Sequence, residues 1–377
     1  MLLKSFLEAK PLYYDKIDYT RMPRVYESIK KLINIPKIIH LIGTNAKGTT
    51  GRFLASSLNN IGFDVGHYTS PHILKFNERI WINGEDVTDN ILQKAHETLQ
   101  NILTKDDSTA LSYFEYTTFL AMIIFQNCDY IVLEAGLGGE FDATAVFPKI
   151  LTLVTPIALD HEAFLGSDIK QIAQTKLNAI QNNAIFAKQN DEVYEIAKTL
   201  NKNIFKVDSL LTKNDLKKIE IISDELLLVD YLKENLSLSI AALNFLEINY
   251  KTSDFKNAKL FGRLSKICEN IIVDVGHNEL AASSVLSALS GNKYIIIYNS
   301  FKDKNYKNIL QILKPIISSI EIIKVDDSRI ESAHNMQNVL NKLNIKYSSF
   351  KEIKKEKNYL VFGSFSVVEA FLKEYHE

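Results

Sequence analysis

Residues 40–62 read HLIGTNAKGTTGRFLASSLNNIG, and the fold turns on them. The run KIIHLIG (37–43) leads in; beyond the loop, Leu54, Leu58 and Ile61 fall at i, i+4 and i+7 on one helical face that Gly62 is placed to end. A buried strand, a glycine-containing loop and a helix start therefore follow one another. At a helix start the first N–H groups lack intrahelical acceptors and the dipole favours an anion, so such a loop suits phosphate. Lys47 adds a mobile cation, and Thr49 and Thr50 add hydroxyls. The order departs from the common G-x-x-x-x-G-K-[ST] pattern, because Lys47 precedes Gly48. On this stretch alone, a phosphate site and a plain strand-to-helix turn are equally good readings.

Working outward, similar apolar runs recur at YIVLEAG (130–136), ILTLVTP (150–156), IIVDVG (271–276), KYIIIYNS (293–300) and NYLVFGS (358–364). They lack polar alternation, as strands do when helices cover both faces of a sheet. Helical patterns between them predict parallel α/β sheets. The polar segment EINYKTSDFKNAKLFGRL (247–264) separates two such sets. The expected architecture is a P-loop-type parallel-sheet domain over 1–254, followed by a smaller Rossmann-like α/β domain over 255–377.

Composition narrows the function classes. A formal net charge of −1 leaves no electrostatic footprint for nucleic acid or an anionic membrane. The longest apolar stretch, FLAMIIF (119–125), is too short to span a bilayer. The opening MLLKSFLEAKPLYYDKIDY carries charges and a proline where a signal peptide needs an unbroken apolar run. Cys128 and Cys268 are isolated, which points to a reducing cytoplasm rather than to a disulfide framework or zinc site.

The stretch GTNAKGTT resembles the loop G-T-N-G-K-G-[ST] of the folylpolyglutamate synthase/dihydrofolate synthase family, within the Mur ligase superfamily. Ala46 stands where that family has Gly, a position at which positive φ would strain it. The resemblance continues in order. VGHYTSPHILKFNERIWINGEDVTD (65–89) is similar to T-S-P-H followed by F-N-E-R-I-x-I-N-G, and FEYTTFLAMIIF (114–125) to F-E-x-x-T. VLEAGLGGEFDAT (132–144) resembles E-V-G-L-G-G-R-L-D-A-T, and ALDHEAFLG (158–166) resembles L-D-H-x-x-x-L-G. IAQTKLNAI (172–180), FGRL (261–264) and DVGHNE (274–279) correspond to I-A-x-x-K-A-G-I, G-R and D-G-A-H-N-P.

The resemblance implies an ATP-dependent ligase that adds L-glutamate to dihydropteroate or a tetrahydrofolate. A carboxylate is a poor electrophile, so the reaction runs through an acyl phosphate, and the site must hold ATP and Mg²⁺ by positioning and electrostatics. By resemblance Thr44, Asn45, Ala46, Lys47, Gly48, Thr49, Asn235, Arg263, Asp274 and His277 bind ATP. Ser70, Glu134 and His161 are metal residues, and Lys47, His161 and Lys176 are catalytic. Glu134 sits at a strand's C-terminal end, where ligands of open α/β sheets bind, but without the surrounding GLGG it reads better as a surface carboxylate. His161 is a softer ligand than Mg²⁺ prefers, and Asp160 is placed to orient it. Lys176 reads by itself as a solvated helix residue; the resemblance implies that it is carbamylated. Arg24, Tyr113, Phe114, Glu115, Phe141, Asp142 and Ala143 match the pterin- or folate-binding positions. The resemblance also implies a monomer without nucleic-acid or membrane partners.

The main rival is a Mur ligase adding an amino acid to a UDP-sugar precursor. Only 42 residues precede Gly43, few for the large N-terminal domain such enzymes carry. Two further rivals are a regulatory or motor P-loop NTPase, for which the near-neutral charge shows no nucleic-acid role, and a non-catalytic binding protein, against which the intact Lys47, Glu134, His161, Lys176, Arg263 and Asp274 argue.

Overall fold

In the computed structural model, which describes residues 2–10 and 18–376, the apolar runs become the central strands of two sheets. Residues 11–17 of the N-terminal stretch lie outside the described part. The chain divides into two compact units, Met1–Lys259 and Leu260–Glu377. The division falls a few residues beyond the expected 254/255, because Phe255 and Ala258 are buried in the first unit's core.

The first unit holds eight strands: β1 (Lys37–Ile42), β2 (Val65–Tyr68), β3 (Ile80–Ile82), β4 (Glu85–Asp86), β5 (Tyr130–Glu134), β6 (Leu151–Val154), β7 (Asn183–Phe186) and β8 (Asn203–Lys206). Their order is β4-β3-β2-β5-β1-β6-β7-β8. From β2 to β8 the pairs are parallel, whereas β3 joins β2 and β4 joins β3 antiparallel. Side chains explain why the runs are unbroken. On β1, Ile38 packs into one core, while Ile39 and Leu41 pack into another on the opposite face. Ile131 and Val132 of β5 divide in the same way, so both faces are dry.

β1 is central, with β5 and β6 on either side. The chain leaves β1 through the Lys47–Ile61 helix to β2, and reaches β6 on the other flank only after β5. The C-terminal ends of β5, β1 and β6 therefore border a reversal in strand order, the place where open α/β sheets bind ligands. The Lys47–Ile61 helix is buried along most of its length. The Asp230–Phe245 helix lies against it, and Ser239 Oγ donates to the Thr50 carbonyl at 2.9 Å. Gly62 ends the first helix with φ 119°, the left-handed conformation expected of a C-cap glycine.

The second unit is a sheet in the order β13-β12-β11-β14-β10-β9. Its strands are β9 (Ser265–Cys268), β10 (Ile271–Asp274), β11 (Tyr294–Tyr298), β12 (Ile317–Ile322), β13 (Tyr347–Ser349) and β14 (Tyr359–Phe362). All pairs are parallel except β9 with β10. Among the described residues, no helix is long and apolar enough to cross a membrane.

Candidate active site

The loop after β1 is shaped by β6. Gly43 has φ 141°, and a Cβ there would come within 2.8 Å of the Thr155 carbonyl oxygen, so only glycine fits. The N–H groups of Thr44 and Asn45 donate to the Pro156 carbonyl at 2.9 and 3.4 Å. The Thr44 hydroxyl donates to the Ala158 carbonyl and accepts from the Ala158 N–H, each at 3.0 Å. Ala46 adopts φ 73°, the left-handed region that disfavours a side chain. From Lys47 the helix begins, presenting its first N–H groups at the same loop.

Two lysines close on that loop. Lys47 Nζ donates back to the carbonyls of Gly43 at 3.2 Å and Thr44 at 3.3 Å, and lies 3.9 Å from Glu134 Oε1. Lys176 Nζ donates to the same Gly43 carbonyl at 3.0 Å. Lys176 is not a solvated residue: it is 4% exposed. The glycine-rich loop after β5 covers it, and a Cβ on Gly139 would come within 2.7 Å of the Lys176 Cα. Glu140 N–H anchors that loop on the Thr175 carbonyl at 2.9 Å. Burial, reinforced by the neighbouring Lys47 charge, pushes the Lys176 amine down to about 7, against the opposing pull of Asp160 and Asp142.

Glu134 ends β5 and is buried. Its Oε2 accepts from the Thr69 hydroxyl and from the Ser70 N–H at 3.4 Å. His161 has φ 54°, and its N–H donates to Asp160 Oδ1 at 2.9 Å; its side chain is exposed. Among the described residues, no group of three or more His, Cys, Asp or Glu side chains converges as a metal cage. Buried Glu134 supplies the hard carboxylate oxygen that a divalent cation takes together with phosphate oxygens and water. A second observation agrees. The buried Thr49 and Thr50 hydroxyls and the buried Asn235 amide nitrogen, from the two packed helices, have no hydrogen-bond partner among the described residues. Unmatched buried polar groups are costly, and Thr49 and Thr50 stand in the first turn of the Lys47–Ile61 helix, where an N-terminus suits phosphate.

Of the expected acceptor residues, Tyr113 and Phe114 form an aromatic wall with Phe76 and Tyr68 beside the loop after β5. Phe114 packs on Gly136, where a Cβ would meet the ring within 3.0 Å, and stands 5.9 Å from Tyr68. Tyr113 is edge-on to Phe76 at 6.3 Å. Glu115 is engaged in the fold: it caps its helix through the Ser112 N–H at 2.7 Å and pairs with Arg21, also at 2.7 Å. Arg24 pairs with Asp107 at 2.6 Å and is 58% exposed. Phe141 is exposed and packs against Tyr19 with the rings tilted, 4.4 Å between ring centres. Ala143 is buried. Asp142 accepts four hydrogen bonds from its own loop: Gly136 and Leu137 N–H on Oδ2, and Thr144 N–H and hydroxyl on Oδ1. A carboxylate offers about four lone-pair sites, so these bonds use all of them.

Within the second unit, Asp274 at the end of β10 accepts from Leu264 N–H at 2.9 Å and Gly276 N–H at 2.8 Å. Arg263 lies over the Phe365 ring at 5.3 Å and donates to the Gly262 carbonyl at 3.0 Å. His277 Nδ1 lies 3.1 Å from the Val275 carbonyl oxygen.

No protein-family model matches the chain. A dihydrofolate synthase/folylpolyglutamate synthase of Buchnera aphidicola subsp. Baizongia pistaciae is 30% identical over 421 residues, covering 97% of this chain and 95% of the relative. The chain belongs to the dihydrofolate synthase/folylpolyglutamate synthase family. As a member it is an ATP-dependent ligase of folate metabolism, and its two α/β units are those of a Mur-ligase-like fold. The crystal structure of Helicobacter pylori folylpolyglutamate synthetase is similar with 36% identity and a TM-score of 0.79, covering 99% of this chain and 98% of that one. Escherichia coli FolC in complex with DHPP and ADP is similar with 25% identity and a TM-score of 0.81, covering 99% and 96%.

Against this family setting, three polar residues beside the site stand out to which the sequence alone assigns no role. Thr69 holds Glu134, and His72 and Arg79 are joined by a 2.8 Å bond from Arg79 Nε to His72 Nδ1. All three lie within the 65–89 segment, but only pairing β2 with β3 brings them together.

Proposed function

We propose that this ligase joins L-glutamate to dihydropteroate and to folate acceptors through an acyl phosphate, and that the residues gathered at β5, β1 and β6 carry the reaction. The acceptor carboxylate takes the γ-phosphoryl group of ATP, releasing ADP. The glutamate amine then attacks the acyl phosphate, an amide forms, and phosphate leaves. The observation that carries this reading is the convergence of Lys47 and Lys176 on the Gly43 carbonyl, with buried Glu134 beside Lys47.

In this reading Thr44, Asn45, Ala46, Gly48 and Thr49 wrap the phosphates, and Lys47 neutralises the charge that builds on the transferred group. Asn235 contributes its amide nitrogen; Arg263, Asp274 and His277 take nucleotide contacts by family resemblance. Glu134, Ser70 and His161 hold Mg²⁺, which when bound supplies charge neutralisation on phosphate oxygens. By family resemblance Lys176 is carbamylated and becomes an anion beside the phosphate site; burial lowers its amine to about 7, which leaves about half of it unprotonated and able to take up CO₂ at neutral pH. Tyr113, Phe114, Phe141 and Ala143 line the acceptor. Glu115, Arg24 and Asp142 shape it from behind through the bonds described. The protein works as a cytoplasmic monomer.

The test is ATP-dependent incorporation of labelled glutamate with dihydropteroate, tetrahydrofolate or a UDP-sugar as acceptor, with ADP release measured alongside. The expected result is glutamate incorporation and matching ADP release with the pteroate or folate acceptor alone. ADP release indifferent to acceptor, or incorporation into the UDP-sugar, would overturn the reading.

A further inference from the structure

We propose that Arg79 is the residue that grips the carboxylate of the acceptor, an assignment that rests on the acceptor reading above. Arg79 closes the Phe76–Arg79 turn at the entry to β3. Its carbonyl accepts from the Thr69 N–H at 2.9 Å, and the Thr69 hydroxyl donates to Glu134. The backbone of Arg79 is thus one strand spacing from the residue that holds the metal carboxylate. Its side chain turns toward the acceptor wall, with the guanidinium carbon 5.5 Å from the centre of the Tyr113 ring and 6.0 Å from that of Phe76. One arginine therefore touches the aromatic wall and borders the phosphoryl-transfer site, and the acceptor carboxylate has to lie between those two places for the reaction to occur.

The pairing of Arg79 distinguishes it from its neighbours. Arg21 is engaged by Glu115 and Arg24 by Asp107. Arg79 has no carboxylate at ion-pair distance among the described residues; its one hydrogen bond there is from Nε to His72 Nδ1. The nearest carboxylate in sequence, Glu78, is taken by the N–H groups of Ile73, Leu74 and Lys75 at 2.7–2.8 Å. Those bonds pin the loop that carries His72. Because arginine can only donate, the bond to Nδ1 also fixes His72 as the tautomer protonated on Nε2. The guanidinium is held by its Nε and by two rings, and its Nη1 and Nη2 edge remains for a planar, bidentate anion. A half-buried cation with that edge uncommitted, on the wall of an acceptor whose reacting group is a carboxylate, is a carboxylate receptor.

Two probes test this: dihydropteroate, and the same pterin–aniline lacking its carboxyl group. Binding of each is measured calorimetrically to wild type, Arg79→Gln and Arg79→Lys, together with KM for ATP. Arg79→Gln is expected to weaken dihydropteroate by about tenfold to a hundredfold, the scale of a charged hydrogen bond, and to leave the carboxyl-free probe and ATP within about twofold. Arg79→Lys should fall between, keeping charge but losing the fork. Equal loss on both probes would show that Arg79 only supports the wall, and loss on ATP instead would make it a phosphate contact; either overturns the assignment, as does no change. If Arg79→Gln does not fold, Arg79→Lys carries the same comparison. If wild type binds neither pterin, the acceptor reading itself fails, and the assignment with it.

Discussion

Lys176 Nζ and the Gly43 carbonyl oxygen are 3.0 Å apart, across 133 residues of chain. This contact ties the Ile169–Leu177 helix to the loop after β1 and keeps an amine beside the proposed phosphate site. A carbamate there would exchange a repulsive pair of cations for an attraction between Lys176 and Lys47. We expect ¹³C-labelled CO₂ to give a carbamate resonance in the wild-type protein that Lys176→Met lacks, with ligation in the variant reduced by at least about a hundredfold. A labelled wild-type sample without that resonance would refute the modification.

The same lysine makes stability depend on pH. In CO₂-free buffer its folded-state pKa of about 7 lies below its ordinary 10.5. Between these values the unfolded chain holds a proton that the folded chain has shed, so stability rises with pH across that window. Below about 7 both states are protonated, and the burial cost is fully present. Lys176→Met should therefore be more stable than wild type near pH 6 and lose this rise toward pH 10. Denaturant melts of both proteins at about pH 6 and about pH 9.5 measure it; parallel curves would mean that the amine is hydrated.

Lys47→Ala should abolish ligation and leave the fold intact. Glu134 keeps its bonds from Thr69 and Ser70 when Lys47 is gone, and the repulsion between Lys47 and Lys176 disappears. The expected stability change is below about 2 kcal/mol, against a loss in turnover of at least about a thousandfold. Turnover near wild type would sink the nucleotide-site reading.

The strands that flank the site were readable because both faces of the sheet are covered, which turns β1, β5 and β6 into plain apolar runs. The outer strands β8, β9 and β13 were not, since NIFK, SKIC and YSS are short and partly exposed, and nothing local distinguishes them from loop. Lys47 and Glu134 could be placed in a loop and at a strand end from the sequence, but only the family resemblance gave those positions a role. The burial of Lys176 was not: it depends on Gly139, which arrives from another strand end and covers it. Arg21, three residues before Arg24, carries no signal of its own in the sequence. In the structure it is the better buried of the two and pairs with Glu115, a contact over 94 residues that no local pattern announces.

Asp142→Asn separates fold from acceptor. Asparagine keeps one acceptor oxygen and turns a donor NH₂ toward either the Gly136 and Leu137 N–H pair or the Thr144 pair. Leaving such groups unmatched should cost about 2–4 kcal/mol. Because the loop from Gly136 to Thr144 backs Phe114 and covers Lys176, KM for dihydropteroate should rise more than KM for ATP. Thermal melts and steady-state kinetics on the one variant check both; a stable variant with unchanged acceptor KM would show that the four bonds are dispensable.

Ala46 is the site residue whose backbone is most at odds with its side chain. At φ 73° the Cβ crowds its own backbone, worth about 1–2 kcal/mol for an L-residue. Glycine removes that strain but gives up about 0.5–1 kcal/mol through the added freedom of the unfolded chain. Ala46→Gly should therefore be equal to wild type or more stable by up to about 1 kcal/mol, with ATP-dependent ligation retained. Ala46→Val has the opposite sign. A β-branched residue is a worse occupant of the left-handed region, and the loop must shift to accommodate it, moving the Thr44 and Asn45 N–H groups off the Pro156 carbonyl. Valine should cost about 2 kcal/mol and raise KM for ATP. Urea melts of the three proteins decide the matter: if glycine destabilises by more than about 1 kcal/mol while valine does not, Ala46 does not hold a positive φ in solution, and the loop has another shape.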